Sequence, residues 1–532
     1  MATQDAVSVE KAKRGAFSSR KVFIFAAIGS AVGLGNIWRF PYVAYDNGAG
    51  AFLIPYLVAL VCAGIPFLYL DYALGHRFRG SAPLSFARLS RPAEAIGWWQ
   101  VGICFMIAVY YAAVIAWALS YTVFSFDKSW GDDPGGYFTG EFLKVGEVGV
   151  DLDVVVGVLV PMLVVWLAVV VIMVAGVEKG IGFTSVVGIP VLILAFLALV
   201  IRALFLPGAM DGLEEFFTPD WAALREPGVW AAAFGQIFFS LSIGFGIMIT
   251  YSSYVDRKTD MTGSGAVVAF SNSGFELLAG IGIFAALGFM SQASGDPVGK
   301  VLGSGGVGLA FIGFPTIISE APWGAFIGVM FFGSLVVAGL TSLVSVLEVV
   351  VSAVRDKFDL PRKVAAAAVS IPCAIISLIF FSTASGLYIL DIIDHFINQF
   401  GILLVATVAM VVVAWSLRAL PLLADHMNAG GSIKLLLWWK VLVGGLVPVA
   451  LAYMLFEAFR IDVETPYEGY PTWMLALFGW GSAAAVMVLG YVLAPMPWRK
   501  DTSLEDPGLD APPHDGVPTT PTARTTKEGV ER

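Results

Sequence analysis

Two glycine-rich interruptions inside long apolar runs hold the residues best suited to chemistry. The first is Gly29-Ser30-Ala31-Val32-Gly33-Leu34-Gly35-Asn36, and the second is Ser240-Leu241-Ser242-Ile243-Gly244-Phe245-Gly246. In lipid each unpaired backbone group is costly, so such breaks are tolerated only where they face protein or a cavity. Their freed N–H and C=O groups can then serve a ligand. Gly29 and Gly33 also form a small-xxx-small pair, which close helix packing alone would explain. Asn36 and Arg39 follow directly, however, and an arginine inside a span costs roughly 2.5 to 3.5 kcal/mol and usually faces a partner or a water-filled cavity. That combination points to a pathway. Covalent catalysis finds no comparable set: His76, His395, His426 and His514 are scattered over loops and span ends, without a Ser-His pair or metal-ligand spacing. Cys62, Cys104 and Cys373 all sit in apolar runs and read as small buried hydrophobes, not a disulfide framework. The expectation is a protein that is not an enzyme.

The elements that must position these residues follow from composition. The chain has 532 residues, 58% hydrophobic and 13% charged, against about 25% charged in soluble domains. Apolar runs long enough to cross a ~30 Å hydrocarbon core recur from Val22 to about Met496, and about twelve can be counted. The alternation of a membrane barrel is absent, while runs such as Val154 to Val174 and Ile402 to Leu417 fit helices, so the fold class is an all-α integral membrane protein. The two breaks fall in the first and sixth spans, the same position in two halves of five, and paired interruptions mark transporter sites built from inverted repeats.

Net charge is -9, but its placement matters more than its total. Lys11, Lys13, Arg14, Arg20 and Lys21 precede the first span. Arg77, Arg79, Arg88 and Arg91 follow the second, Arg257 and Lys258 the sixth, Arg355, Lys357, Arg362 and Lys363 the eighth, and Arg499 and Lys500 the last. The alternate connections, such as Asp127 to Asp153 and Asp211 to Glu226, are acidic. The positive-inside rule then puts both termini in the cytoplasm of a multi-pass plasma (inner) membrane protein, with membrane lipid around it. The basic N-terminus leads into a retained first span, not a cleaved signal. From Lys500 onward Pro, Thr, Asp and Glu dominate and too little is apolar to fold.

Gly29-Ser30-Ala31-Val32-Gly33-Leu34-Gly35-Asn36-Ile37-Trp38-Arg39-Phe40-Pro41, followed by Asn47-Gly48-Ala49-Gly50-Ala51-Phe52, resembles the signature of the neurotransmitter:sodium symporter family, in particular its bacterial leucine-transporter-like members. Gln236 to Gly246 and Ala338-Gly339-Leu340-Thr341-Ser342 are further matches, and the resemblance spans roughly residues 14 to 496. It implies a first repeat over 17–206, an extracellular loop over 207–226, an inverted second repeat over 227–420, two further helices over 421–498, a cytoplasmic segment 1–16 and a disordered tail 499–532.

The same resemblance implies sodium-coupled import of a neutral small-to-medium amino acid by alternating access, with two sodium ions and no organic cofactor. The substrate carboxylate would meet the amides of Leu34 and Gly35 and the Tyr111 hydroxyl. Its amine would lie against carbonyls of Ala31, Phe239 and Ser240, near Ser242, with Ile107, Phe245, Ser342 and Val346 completing the pocket. Sodium site one would use Ala31, Asn36, Ser240 and Asn272 together with the substrate, and sodium site two Gly29, Val32, Ala338, Thr341 and Ser342. On residue type alone, Thr341 and Ser342 could equally bond the carbonyls of their own helix. Arg39 with Asp394 would form the outer gate under a Phe239 lid, and Arg14 with Asp356 the inner gate.

Several positions bear on specificity and coupling. Ser30, Ile107, Ser240 and Val346 differ in size or polarity from the leucine-transporter pattern, and Phe17 stands where an inner-gate tryptophan is usual. Gly33 occupies the position where monoamine-carrying relatives have an aspartate. Glu276, four residues from Asn272 and therefore on the same helical face, stands where chloride-dependent relatives have serine; near Tyr56, Gln236 and Ser240 it can supply the negative charge itself. Glu348 reads either as a proton-coupling acid or as a structural one. Carriage of a monoamine or osmolyte, and sensing without transport, are the alternatives; no nucleic-acid partner is expected, and oligomeric state is left open.

Overall fold

Continuous apolar runs in lipid must satisfy their backbone internally, and helices do so. The computed structural model describes residues 16–299, 306–320, 323–499 and 502–507, and among these it is helical throughout apart from turns and two isolated bridges. Among the described residues ten helices are long and apolar enough to cross a membrane. They are the second span (Gly50–Phe78), third (Arg91–Phe124), fourth (Val156–Ala175), fifth (Val177–Leu204), seventh (Met261–Ser294), eighth (Gly324–Phe358), ninth (Arg362–Phe381), tenth (Gly386–Ser416), eleventh (Leu437–Gly469) and twelfth (Thr472–Leu493). The first and sixth spans complete the expected twelve, each in two halves: Arg20–Ala31 with Leu34–Asp46, and Pro227–Ser240 with Ile247–Ser253.

The two breaks are built differently. In the first span only Val32 (φ −74°, ψ 96°) and Gly33 (φ −125°, ψ −167°) leave the helix. Asn36 Oδ1 accepts the Gly33 N–H at 2.9 Å, so the new helix caps its own start. The sixth span stays open from Leu241 to Gly246, with Ser242 (φ 53°), Gly244 (φ 89°) and Gly246 (φ 88°) in the left-handed region. Glycine adopts that conformation without penalty, and at Gly244 a Cβ would also lie 3.0 Å from the Ala406 methyl.

The third and eighth spans pack along one another more extensively than any other pair and form the interior. Their most apolar stretches are 83% buried, against 33% for the fourth and fifth spans, whose Leu167, Val171 and Leu194 point outward as a lipid-facing shell would. The tail, expected to be disordered from 499, begins docked against the ends of the second and third spans. Trp498 Nε1 donates to Glu94 Oε2 at 2.8 Å, Arg88 Nε to the Ser503 carbonyl at 3.0 Å, and Arg77 pairs with Asp506 at 2.5 Å. Arg77 at the end of the second span and Arg88 before the third thus hold a segment that has no apolar core of its own. Residues 508–532 of the tail, and nearly all of segment 1–16, lie outside the described residues.

Candidate functional site

Because the two breaks face each other across the third and eighth spans, a cavity of about 70 Å³ opens between them. All eleven residues expected at the pocket line it. Ala31, Leu34 and Gly35 come from the first break, Ile107 and Tyr111 from the third span, Phe239, Ser240, Ser242 and Phe245 from the sixth, and Ser342 and Val346 from the eighth. The Leu34 N–H points at the Tyr111 hydroxyl, 3.4 Å away, and the Ser242 hydroxyl donates to the Ser30 carbonyl at 2.9 Å. Gly33 has no spare room: a Cβ there would lie 3.1 Å from Ser342 Oγ and 3.2 Å from the Tyr111 oxygen. Tyr110, Asn398 and Ile402 also line the cavity and were not anticipated.

The expected site-one side chains form one buried chain. Asn36 Nδ2 donates to Asn272 Oδ1 at 2.8 Å, Asn272 Nδ2 to Ser240 Oγ at 3.1 Å, and Ser240 Oγ to Glu276 Oε2 at 3.4 Å. Glu276 also accepts from Gln236 Nε2 at 2.6 Å and from the Tyr56 hydroxyl. The acid, fully buried, is therefore one side chain away from Asn272. Ala31 lies on the same cavity wall.

At site two the eighth span turns its hydroxyls toward the first break. Ser342 Oγ lies 3.4 Å from the carbonyls of both Gly29 and Ser30. Thr341 Oγ1 lies 3.0 Å from the Ala338 carbonyl and 3.2 Å from that of Val337, so it does bond its own helix while facing one of the expected ligands. Val32 makes its observed bond through its N–H, to the Ile28 carbonyl at 2.7 Å. Among the described residues no cluster of three His, Cys, Asp or Glu could hold a metal, and these neutral oxygens suit a monovalent hard cation.

The gates are only partly assembled as expected. Phe239 covers Gly35 so closely that a Cβ there would meet its ring at 2.2 Å, and the Arg39 guanidinium lies over the same ring, 4.6 Å from its centroid. Arg39 makes no ion pair with Asp394. Asp394 instead accepts from Tyr110 Oη at 2.6 Å and Asn398 Nδ2 at 2.9 Å. A guanidinium stacks on an aromatic face as readily as it pairs with an acid, and Asp394 is occupied by two donors that sequence did not point to. Of the inner gate, Arg14 lies outside the described residues, while Asp356 accepts the Ser81 N–H at 2.9 Å. Phe17 is buried against Phe23, Tyr251 and Tyr254. Glu348 receives both Arg362 guanidinium nitrogens at 2.7 Å and the Tyr254 hydroxyl at 2.6 Å.

Comparison with known proteins adds independent findings. The model of the sodium:neurotransmitter symporter family matches residues 14–134 and 131–499. An uncharacterized sodium-dependent transporter of Methanocaldococcus jannaschii is 43% identical over 91% of this chain and 97% of its own. The human sodium- and chloride-dependent neutral and basic amino acid transporter B(0+) is 29% identical over 88% of this chain and 84% of its own. Among solved structures, MhsT in complex with L-phenylalanine superposes with a TM-score of 0.71 at 32% identity, over 84% of this chain and all of that one.

Proposed function

Because the chain belongs to the sodium:neurotransmitter symporter family, and is a multi-pass transporter and not an enzyme, we propose that it imports a neutral small-to-medium amino acid together with sodium and without needing chloride. The observation that carries this reading is the meeting of three features on one cavity: the first-break amides at a helix start beside Tyr111, the Asn36–Asn272–Ser240 chain, and Glu276 at the end of that chain. The amides of Leu34 and Gly35, at the start of a helix, take the substrate carboxylate. Sodium binds against Ala31, Asn36, Ser240 and Asn272 and touches that carboxylate, so each raises the other's affinity by the same factor. A second ion sits between Gly29, Val32, Ala338, Thr341 and Ser342. Binding of a free amino acid fits the relative captured with L-phenylalanine and the relative named for neutral and basic amino acids.

Gly33 favours an acid-bearing ligand over an amine. An aspartate there would attract an amine, and glycine offers neither that charge nor the space for it. Arg39 with Asp394, and Arg14 with Asp356, open and close the two sides under the Phe239 lid as the bundle of the first, second, sixth and seventh spans rocks, in an inner membrane with both termini cytoplasmic. The direct test is uptake of a labelled amino-acid panel into proteoliposomes, with an inward sodium gradient or with sodium replaced by choline. At least one neutral amino acid should accumulate with sodium only. Binding without flux would leave a sensor, and tighter binding of a decarboxylated amine than of its parent acid would overturn the substrate class.

A further inference from the structure

The open stretch of the sixth span needs partners for backbone groups that no helix satisfies, and side chains of other spans provide them. Asp71 of the second span accepts the Gly244 N–H at 3.2 Å. Two residues of the third span hold what comes next: Gln100 Nε2 donates to the Gly244 carbonyl at 2.9 Å, and the Cys104 thiol to the Phe245 carbonyl at 3.1 Å. Both are fully buried. The Gln100 oxygen has no hydrogen-bond partner among the described residues, so its amide is oriented by the bond to Gly244 alone. Gln100, Cys104, Ile107 and Tyr111 lie four, three and four residues apart and share one face of the third span. The upper two wall the cavity; the lower two grip the backbone that carries another wall residue, Phe245.

We propose that Gln100 and Cys104 are positioning residues that set the size limit of the transported side chain, by fixing the backbone from which Phe245 enters the cavity. This rests on the cavity being the amino-acid site. Gly244 and its neighbours are free to turn, so without the two donors the Phe245 ring yields to a bulkier ligand. A lost donor also leaves a buried carbonyl unpaired, which the loosened link relieves by shifting. Neither residue touches the ligand or either expected sodium site, so their effect is on side-chain preference and not on the ion.

The test is the ratio of KM for phenylalanine to KM for alanine in sodium-driven proteoliposome uptake. Gln100→Leu and Cys104→Ala should each lower that ratio by about threefold or more, as expected for loss of one buried hydrogen bond. Cys104→Ser, which keeps a donor, should stay near the native ratio. The sodium concentration for half-maximal uptake should remain native in all three. In a Phe245→Ala background Gln100→Leu should no longer change the ratio, because the residue acts through that ring. If Gln100→Leu fails to fold, the Cys104 pair, alike in size and differing in the donor, carries the test. An unchanged ratio in the donor-less variants, or a shift in sodium dependence that tracks the KM changes, overturns the inference while leaving the functional reading intact. A native protein that takes up none of the panel overturns both.

Discussion

The first and sixth spans are broken at corresponding places, yet one caps its own restart and the other is held by side chains of other spans. The first loses two residues of helix, and its own Asn36 caps the restart. The sixth loses six residues, from Leu241 to Gly246, and borrows Asp71, Gln100 and Cys104 from two other spans. The self-capped break is a rigid presenter of amides, whereas the borrowed one takes its shape from what surrounds it. Under the proposed function the first would meet the substrate carboxylate and the ion, and the second the variable side chain.

The sharpest way to break this comparison is to remove what the first break faces. Thr341→Ala with Ser342→Ala takes away the hydroxyls beside Ala338, Gly29 and Ser30. Gradient-driven uptake should fall by about a hundredfold or more while the protein stays folded, since two ion ligands at roughly 1.5–3 kcal/mol each are lost. Undiminished sodium-driven uptake would refute the second ion site. Asn36→Ala comes next, deleting both the cap and the link to Asn272, and about tenfold to a hundredfold loss of sodium affinity is expected from an unpaired buried amide and a missing ligand. Asn36→Asp keeps the acceptor for Gly33 but not the donor to Asn272; if it matches alanine, the cap contributes little and the two breaks are less different than argued.

Glu276→Ser tests the charge behind the first ion. Replacing chloride with gluconate should leave native uptake unchanged and reduce the variant's by about tenfold, the effect of roughly 1.4 kcal/mol of missing charge compensation. Native transport that stops without chloride would remove the acid from this role. Smaller again is Tyr111→Phe, which withdraws one partner from the Leu34 amide and should raise KM by about two- to tenfold at constant maximal rate. On the sixth-span side, Gly244→Ala puts a Cβ at φ 89° and against Ala406. Melting in detergent should register about 1–2 kcal/mol of destabilisation, and an unshifted melt would mean that the link is already loose.

Much of this was readable from sequence because glycine at membrane depth leaves few explanations, and the signature around Gly29 to Pro41 fixes the register of the first break. The residues expected at the pocket come from the family resemblance that this signature carries, and they line one cavity. Asn398 and Ile402 stayed hidden, for a physical reason: the tenth span winds through a π-helical stretch at Ile397–Ile402, which shifts the face its residues present, and an apolar span carries no periodicity to reveal the shift. The resting place of Arg39 was equally hidden, because an acid and an aromatic ring both attract a guanidinium. Gln100 did leave a trace: an amide within the apolar third span, one turn from Cys104, was a polar group in search of a partner.

The borrowed break also bears on how the chain is made. Membrane helices are synthesised from the N-terminus, and the open stretch of the sixth span arrives with unpaired carbonyls that hydrocarbon penalises. Asp71, Gln100 and Cys104 precede it in the chain, so their spans are already in the bilayer to receive it. The order of synthesis thus matches that dependence, with the self-capped break made first and the one that borrows its partners made after them. A permuted chain that began at the sixth span would reverse that order and expose the link to lipid before any partner existed.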